Sequence, residues 1–522
     1  MRGVQQKKIL FIPFFSVCFL LKYNRFRYTL NFYQKGLFDT LFLYFLSVKE
    51  KEVIAWLSER KLMPSPELVS HISNHPDGLI LLERTVTSLT EPKLFLGISD
   101  LIEEENVEAP KPIERKKVAE IPPVIIERQI QKSMSDGKLE SYVSLFNDRF
   151  NNLSKLVRRD PSMRDAIRDT SNLSPDEENK IIGMIADIQT FNNGRTRVTL
   201  EDKSGRINVM LQESSDENLN LLMDEVIGVS GKLSRQGNVL FVNSPIIRPH
   251  LGRYREVSRA EEPHIALFIS DVHLGSGTFQ EREWDKFISW LNGDVDYHKE
   301  WIPNPGYLII AGDAVDGIDS YPGQEADLSI TDVWEQYAEL SKSVNRIPNE
   351  IQTVIMPGNH DAVRLMEPQL PLPDKVVKNF GDNLTFTANP VLLDLAGVKT
   401  MCYHGKSLDD LVSLRDLSYD NPMGMMKELL KRRHLAPIYG AKTPLAPEKQ
   451  DYLLIHDIPD IFVTGHVHSF GVEKYNGVLM INPGTWQSQT DYQKMMGFQP
   501  DPCRAVAVNL QTFETQVLDF NF

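Results

Sequence analysis

Five short apolar runs, each followed directly by a polar cluster, constrain this chain more tightly than any other feature. The runs are Ile265-Ala-Leu-Phe-Ile269, Tyr307-Leu-Ile-Ile310, Val354-Ile355-Met356, Thr400-Met-Cys-Tyr403 and Ile461-Phe-Val463. The clusters after them are Asp271-Val-His273, Gly312-Asp313, Gly358-Asn-His-Asp361, His404-Gly405 and Gly465-His-Val-His468. Short apolar runs bounded by glycine read as buried strands. Val478-Leu-Met-Ile481 adds a further strand, and Trp284, Phe287, Ile288 and Leu291 form the apolar stripe of an intervening helix. Strands alternating with helices predict a layered α/β domain. Folds of that class place their sites at the carboxyl ends of strands, where these clusters fall.

A single Asp-x-His or Gly-Asp is uninformative, because surface Asp and His are common. The same residue types after successive strands point to one shared site. Carboxylate, imidazole and amide oxygen together favour manganese, iron or zinc over calcium or a pure magnesium site. A carboxylate can bridge two ions with its two oxygens, and Asp313 on its glycine turn is the candidate bridge. Two-metal centres catalyse in-line displacement at phosphorus and lower the pKa of water. His360, between Asn359 and Asp361, reads as a general acid rather than a ligand. A protonated imidazole there stabilises the charged phosphorus centre and delivers a proton to a departing oxygen. The alternative is a structural histidine that fixes its loop.

The chain has 522 residues, too many for one ordinary domain. Residues 1–48 are expected to be an irregular extension or a mis-called start. They hold a 13-residue apolar run, Ile9 to Leu21, interrupted by Pro13 and preceded by Arg2, Lys7 and Lys8. No small-residue cleavage site follows it, and it is shorter than the roughly 20 residues of a membrane-spanning helix. Residues 49–100 carry short helical patterns such as Val53-Ile-Ala-Trp-Leu57 and predict a small helical domain. Residues 101–135, with Pro110, Pro112, Pro122 and Pro123 among many charges, predict a disordered linker. Residues 136–177 predict a helical connector whose apolar face is Tyr142, Leu145, Phe146, Phe150, Leu153 and Val157.

The period changes over residues 178–250. Ile181 to Ile188, Arg195 to Leu200, Ile207 to Leu211, Val226 to Ser230 and Val239 to Val242 read as five strands. Turns at Asn192-Asn193-Gly194 and Asp202-Lys-Ser-Gly205 separate the first three. This predicts an all-β barrel of the oligonucleotide-binding (OB) type. Few of its aromatics look exposed, so a structural or docking role is favoured over independent DNA binding. Residues 260–522 form the α/β domain.

Formal net charge is −14, so the chain as a whole is not a basic nucleic-acid wrapper. Any DNA contact is local, metal-assisted or shared with a partner. Cys18, Cys402 and Cys503 show no metal or redox spacing, which suits a reducing cytoplasm.

The ordered set D-x-H, G-D, G-N-H-[DE], H and G-H-x-H resembles the signature of calcineurin-like metallophosphoesterases. The resemblance implies an α/β fold, a layered β-sandwich flanked by helices. It also implies that Asp271, His273, Asp313 and His468 hold one divalent ion. Asp313, Asn359, His404 and His466 would hold a second, with His360 as the acid. Manganese is the expected metal, with iron, zinc and magnesium as alternatives.

Four further stretches, His404-Gly-Lys-Ser-Leu-Asp-Asp410, Leu429 to Gly440, Ala446 to Tyr452 and Asn482 to Thr490, are similar to the small subunits of archaeal D-family DNA polymerases. That likeness covers about residues 50 to 522. It implies a 3′→5′ exonuclease that removes mismatched 3′ nucleotides from DNA in a stable complex with a large catalytic subunit. The sliding clamp is a further candidate partner, and no membrane partner is expected. Lys431, Arg432 and Arg433 are candidate DNA contacts or else a solvated helix end. Trp486 is expected to pack internally. Two competing readings remain. A serine/threonine phosphatase would carry an arginine after the second Asp of Gly312-Asp-Ala-Val-Asp-Gly317, and this chain has none. A mainly structural polymerase subunit would tolerate loss of ligands, and here the full set is present.

Overall fold

The structure is a computed structural model. It describes residues 48–60, 62–74, 82, 85–86, 95–96 and 120–522, except 166, 212–219, 250, 252–255, 299, 302–304 and 322. The expected N-terminal extension up to residue 47 and most of the expected linker lie outside the described residues. The chain forms two compact units, Met1–Ala109 and Pro110–Phe522.

In the first unit, α1 (Val48–Glu59), β1 (Met63–Pro64), α2 (Pro66–Asn74) and β2 (Phe95–Leu96) surround a small core. Pro66 opens α2, where a missing N–H costs nothing, and Ser65 Oγ accepts from the Leu68 N–H at 3.2 Å. Leu68, Val69 and Ile72 of α2 meet Val53 and Leu57 of α1. The apolar residues at helical spacing thus face each other.

The second unit begins with β3 (Ile125–Gln129) and α3 (Leu139–Val157). Next come β4 (Glu178–Thr190), β5 (Thr196–Glu201), β6 (Arg206–Leu211), β7 (Val226–Leu233) and β8 (Val239–Val242). These five close into a barrel in the order β4-β5-β6-β8-β7. Alternate residues such as Val198, Leu200, Ile207 and Val209 fill its interior, as the period of two requires. Of the expected helical connector, the long helix occupies only Leu139–Val157. Its Leu153 and Val157 pack on Ile182, Met184 and Val226 of the barrel.

The remaining chain builds β9 (Ile265–Ile269), α4 (Glu281–Asn292), β10 (Pro305–Ala311), α5 (Val333–Val344), β11 (Gln352–Met356), α6 (Asp374–Val377) and β12 (Leu384–Phe386). Then follow β13 (Val391–Leu395), β14 (Val398–Cys402), α7 (Leu408–Leu411), α8 (Pro422–Arg432) and β15 (Ile461–Val463). The last elements are β16 (Phe470–Tyr475), β17 (Val478–Pro483), α9 (Asp491–Met496), β18 (Arg504–Asn509) and β19 (Thr515–Asp519). They make two six-stranded sheets, β12-β11-β10-β9-β18-β19 and β16-β17-β15-β14-β13-β3.

The sheets stack face to face. Ala266, Phe268, Ile309 and Val354 from one meet Leu393, Cys402, Val463 and Ile481 from the other. The alternate residues Leu267, Ile269, Leu308 and Ile310 point outward onto Trp284 and Phe287 of α4 and Tyr337 and Leu340 of α5. Met401, Phe462 and Met480 do the same toward Met426, Leu429 and Leu430 of α8. Strands buried on both faces read as continuous apolar runs, which is why they stood out in the sequence. The molecule is an α/β fold, a helix-flanked two-sheet sandwich accompanied by an OB-type barrel. Among the described residues no helix is long and apolar enough to cross a membrane.

The linker expectation for 101–135 needs correction at its end. β3 is an edge strand paired antiparallel to β13, with Val391 opposite Gln129. Tyr307 Oη donates to the Pro122 carbonyl at 2.8 Å, and the Val124 N–H donates to Gln352 Oε1 at 2.7 Å. Ser133 Oγ and the Met134 N–H both donate to Glu448. An edge strand draws on a neighbour's backbone rather than on its own apolar content, so composition concealed it. The prolines precede the strand, where no N–H is needed.

Candidate metal centre

All five polar clusters lie just beyond the carboxyl ends of parallel strands β9, β10, β11, β14 and β15. Asp271, His273, Asp313, His466 and His468 all have positive φ, between 48° and 69°. Non-glycine residues rarely adopt this conformation, and such strain concentrates where side chains must be aimed. The motif glycines make room. A Cβ on Gly358 would lie 2.2 Å from Asp313 Oδ1, and one on Gly465 would lie 2.3 Å from Asp271 Oδ2.

The candidate ligands converge. Asp271 Oδ1 lies 3.4 Å from His468 Nε2 and 3.8 Å from His273 Nε2. Asp313 Oδ2 lies 3.1 Å from His404 Nε2 and 3.9 Å from His273 Nε2. Two groups therefore have donor atoms close enough to share a cation, Asp271–His273–His468 and Asp313–His404–His466. Asp313 Oδ1 accepts the His360 N–H at 2.8 Å, which leaves Oδ2 facing both groups. Asn359 lines the same cavity, of about 360 Å³, with His273, His360, His466 and His468.

The donor set suits divalent metal ions. Among the described residues Asn359 Oδ1 is buried with no hydrogen-bond partner, a costly state unless another group takes up its lone pairs. The Nε2 atoms of His273 and His468 face each other at 3.0 Å, as two nitrogens converging on one cation would. A third group, His273, Asp316 and His360, is also close enough to hold a cation. Its carboxylate oxygen is already taken up by His273 Nδ1, at 2.8 Å.

Around these atoms the opposite nitrogen of each imidazole is anchored. His404 Nδ1 faces the Ala311 carbonyl at 3.1 Å, His466 Nε2 faces Asp409 Oδ2 at 3.2 Å, and His468 Nδ1 meets the Gln493 amide at 2.8 Å. Such outer contacts fix ring orientation in metal sites. Burial works against ionising Asp271, yet hydrogen bonds from His273 and His468 hold its carboxyl well below the usual range. Asp313 is likewise lowered, against burial, by the charges of His404 and His360. His404 is raised to about 9: burial opposes the charge, and Asp313 outweighs it. Burial and the neighbouring Asp313 charge push Asp361 up to about 6. That carboxyl accepts from Tyr337 Oη and from the Gly358 and Ala314 N–H groups, and so ties the β10 and β11 loops together.

Reading the sequence missed Asp316, Asp409 and Gln493 as supporting residues. Asp316 is the second Asp of Gly312-Asp-Ala-Val-Asp-Gly317, and Asp409 follows His404 within one motif, so their proximity was visible but not their targets. Two of the three candidate DNA contacts, Arg432 and Arg433, are corrected. Arg432 and Arg433 are each 2% exposed and belong to neither the cleft nor a solvated helix end. Arg432 pairs with Glu225 and Glu428, and Arg433 donates to the carbonyls of Ile455 and His456. Lys431 pairs with Glu428. Trp486 is fully buried against Trp284 and Phe287, so it packs.

A family model for the B-type subunits of DNA polymerases alpha and epsilon matches residues 266–472. A protein from Archaeoglobus fulgidus named DNA polymerase II small subunit is 38% identical over 84% of this chain and 88% of its own length. Its namesake from Methanocaldococcus jannaschii is 42% identical over 73% of this chain and 65% of its own length, so the chain spans somewhat under two thirds of that relative. A Streptococcus pneumoniae protein described as a predicted phosphoesterase aligns with 50% of this chain and 92% of its own, at 13% identity and a TM-score of 0.22. The chain belongs to the DNA polymerase II small subunit family of the archaeal D-family polymerases, on the strength of the sequence relatives.

Proposed function

We propose that this chain is the 3′→5′ exonuclease of its polymerase, hydrolysing the 3′-terminal phosphodiester of DNA in a complex with the large catalytic subunit. One observation carries the reading. Seven candidate ligands and His360 gather around a single cleft, with Asn359 Oδ1 buried and lacking a partner among the described residues. Asp271, His273, Asp313 and His468 would hold one divalent ion, and Asp313, Asn359, His404 and His466 the other. Bound ions, with manganese expected, would supply Lewis acidity and draw a nucleophile from water near neutral pH.

The chain's own groups do the rest. His360 Nδ1 donates to the Asp316 carbonyl at 2.7 Å, so Nε2 is the free nitrogen facing the cleft. In the imidazolium form it would give its proton to the departing 3′-oxygen and leave the ring neutral. Lys406 and Lys442 on the cavity wall bring positive charge to the phosphate. The barrel, joined to the sandwich through Arg432, suits docking more than independent DNA binding. A cytoplasmic site and contact with the sliding clamp belong to the same proposal.

The test uses purified protein, manganese and 5′-end-labelled single-stranded DNA with a mismatched 3′ end. Stepwise shortening is expected, abolished in Asp313→Ala and slowed about 10²–10⁴-fold in His360→Ala. Hydrolysis of phosphopeptides without DNA trimming would favour the phosphatase instead. Inertness to both, with tight binding of a large subunit, would leave only the structural role.

A further inference from the structure

Two aromatic side chains at the cleft have no part in the chemistry just described. Tyr419, on the loop before α8, and Phe498, just after α9, have ring centroids 5.2 Å apart and planes 28° from parallel. Both are half-buried, and both line the cavity that holds His360, His466 and His468. Tyr419 rests on the apolar core beneath the second sheet, which gives the pair a fixed base.

Phe498 is placed by the site itself. Gly497, at φ 76°, ends α9 and turns the chain back, and the Phe498 N–H donates to the Gln493 carbonyl at 3.2 Å. The Gln493 side chain reaches His468 Nδ1, so one residue sets both a candidate ligand and the aromatic ring. Gln489 Nε2 holds the Phe498 carbonyl at 2.9 Å. A ring pair fixed in this way, beside two lysines and a phosphate-directed centre, matches the chemistry of a terminal nucleotide. The lysines take the phosphate, and the rings take the base.

We propose that Tyr419 and Phe498 form a stacking platform for the 3′-terminal base of an unpaired strand. The proposal rests on the phosphodiesterase reading and names its substrate. Stacking on an aromatic face accepts every base, which suits removal of whatever nucleotide was misplaced. A paired terminal base is already stacked in its duplex, and a mismatched one leaves it at least cost. The platform therefore selects frayed ends over paired ends without reading sequence.

The full chain is mixed with a single strand carrying 2-aminopurine at its 3′ end and a hydrolysis-resistant phosphorothioate at the last linkage. Stacking is expected to quench the fluorescence with wild-type protein and with Phe498→Trp. Quenching is expected to be lost with Phe498→Ala and with Tyr419→Ala. In turnover with manganese, wild type is expected to favour a normal 3′ end over an abasic one by at least tenfold in kcat/KM. In Phe498→Ala that ratio should fall toward one. Unquenched fluorescence with wild type overturns the proposal, as does an unchanged ratio in Phe498→Ala. Hydrolysis of bis(p-nitrophenyl) phosphate, lost in Asp313→Ala, judges the phosphodiesterase reading separately. The fluorescence arm stands whether or not that activity appears.

Discussion

His273 Nδ1 lies 2.8 Å from Asp316 Oδ1, so an imidazole of the cleft is oriented by a carboxylate outside its own motif. The same Asp316 accepts from Gln324 and Gln487 and offers its backbone carbonyl to His360. One residue thus fixes the ring of a candidate ligand and that of the candidate acid.

Removing that carboxylate frees the His273 ring to rotate. Asp316→Ala is expected to weaken manganese binding about 10–100-fold, as loss of an outer-sphere partner does elsewhere. Isothermal titration in the absence of DNA measures it, and unchanged affinity would refute the orienting role.

Gly358 is required by space rather than by backbone conformation. A Cβ there would meet Asp313 Oδ1 at 2.2 Å and the Asp313 N at 2.6 Å. Gly358→Ala must therefore displace Asp313, and a shift of about 1 Å costs on the order of 10²-fold in rate. DNA trimming should fall by about that factor while far-UV circular dichroism stays native. Full activity would show that the loop yields without moving the carboxylate.

Arg432 joins the sandwich to the barrel. Its Nε lies 3.1 Å from Glu225 Oε2, both side chains are nearly inaccessible, and Glu428 and Arg248 complete the cluster. Arg432→Met leaves buried carboxylates short of a counter-charge, which costs about 3–5 kcal/mol. Denaturant unfolding should show the loss. A change under about 1 kcal/mol would mean the joint is wet enough to tolerate it.

Glu367 gives stability a pH dependence. Burial pushes its carboxyl up to about 7, although Tyr403 Oη donates to it at 2.7 Å. The ordinary value is 4.5, so between that and about 7 the folded chain binds the proton more tightly than the unfolded chain does. Stability from this group is therefore greatest at low pH and falls as pH rises through that window, levelling off above it. Glu367→Gln removes the penalty and should stabilise the protein by about 1–3 kcal/mol at about pH 8, with little gain at about pH 4. Thermal unfolding at both pH values measures this, and an equal effect at both would contradict it.

The strands of the sandwich were legible because residues buried on both faces leave unbroken apolar runs. The ligand clusters were legible because each sits within a few residues of its strand. What the sequence by itself determined was therefore local: strand, turn, and the donor types each loop presents. Pairing across long separations was decided only in three dimensions. β3 joins β13 through backbone bonds that carry no side-chain signature, and β18 inserts beside β9 from near the chain's end.

The same limit explains the basic run at 431–433. A charge seeks solvent unless a partner is buried with it, and the partner of Arg432, Glu225, stands far back in the barrel. Asp316 and Asp409 were on view as acidic residues, but only packing reveals which nitrogen each one holds. Local patterning names the candidate ligands, and tertiary contact decides which groups aim them.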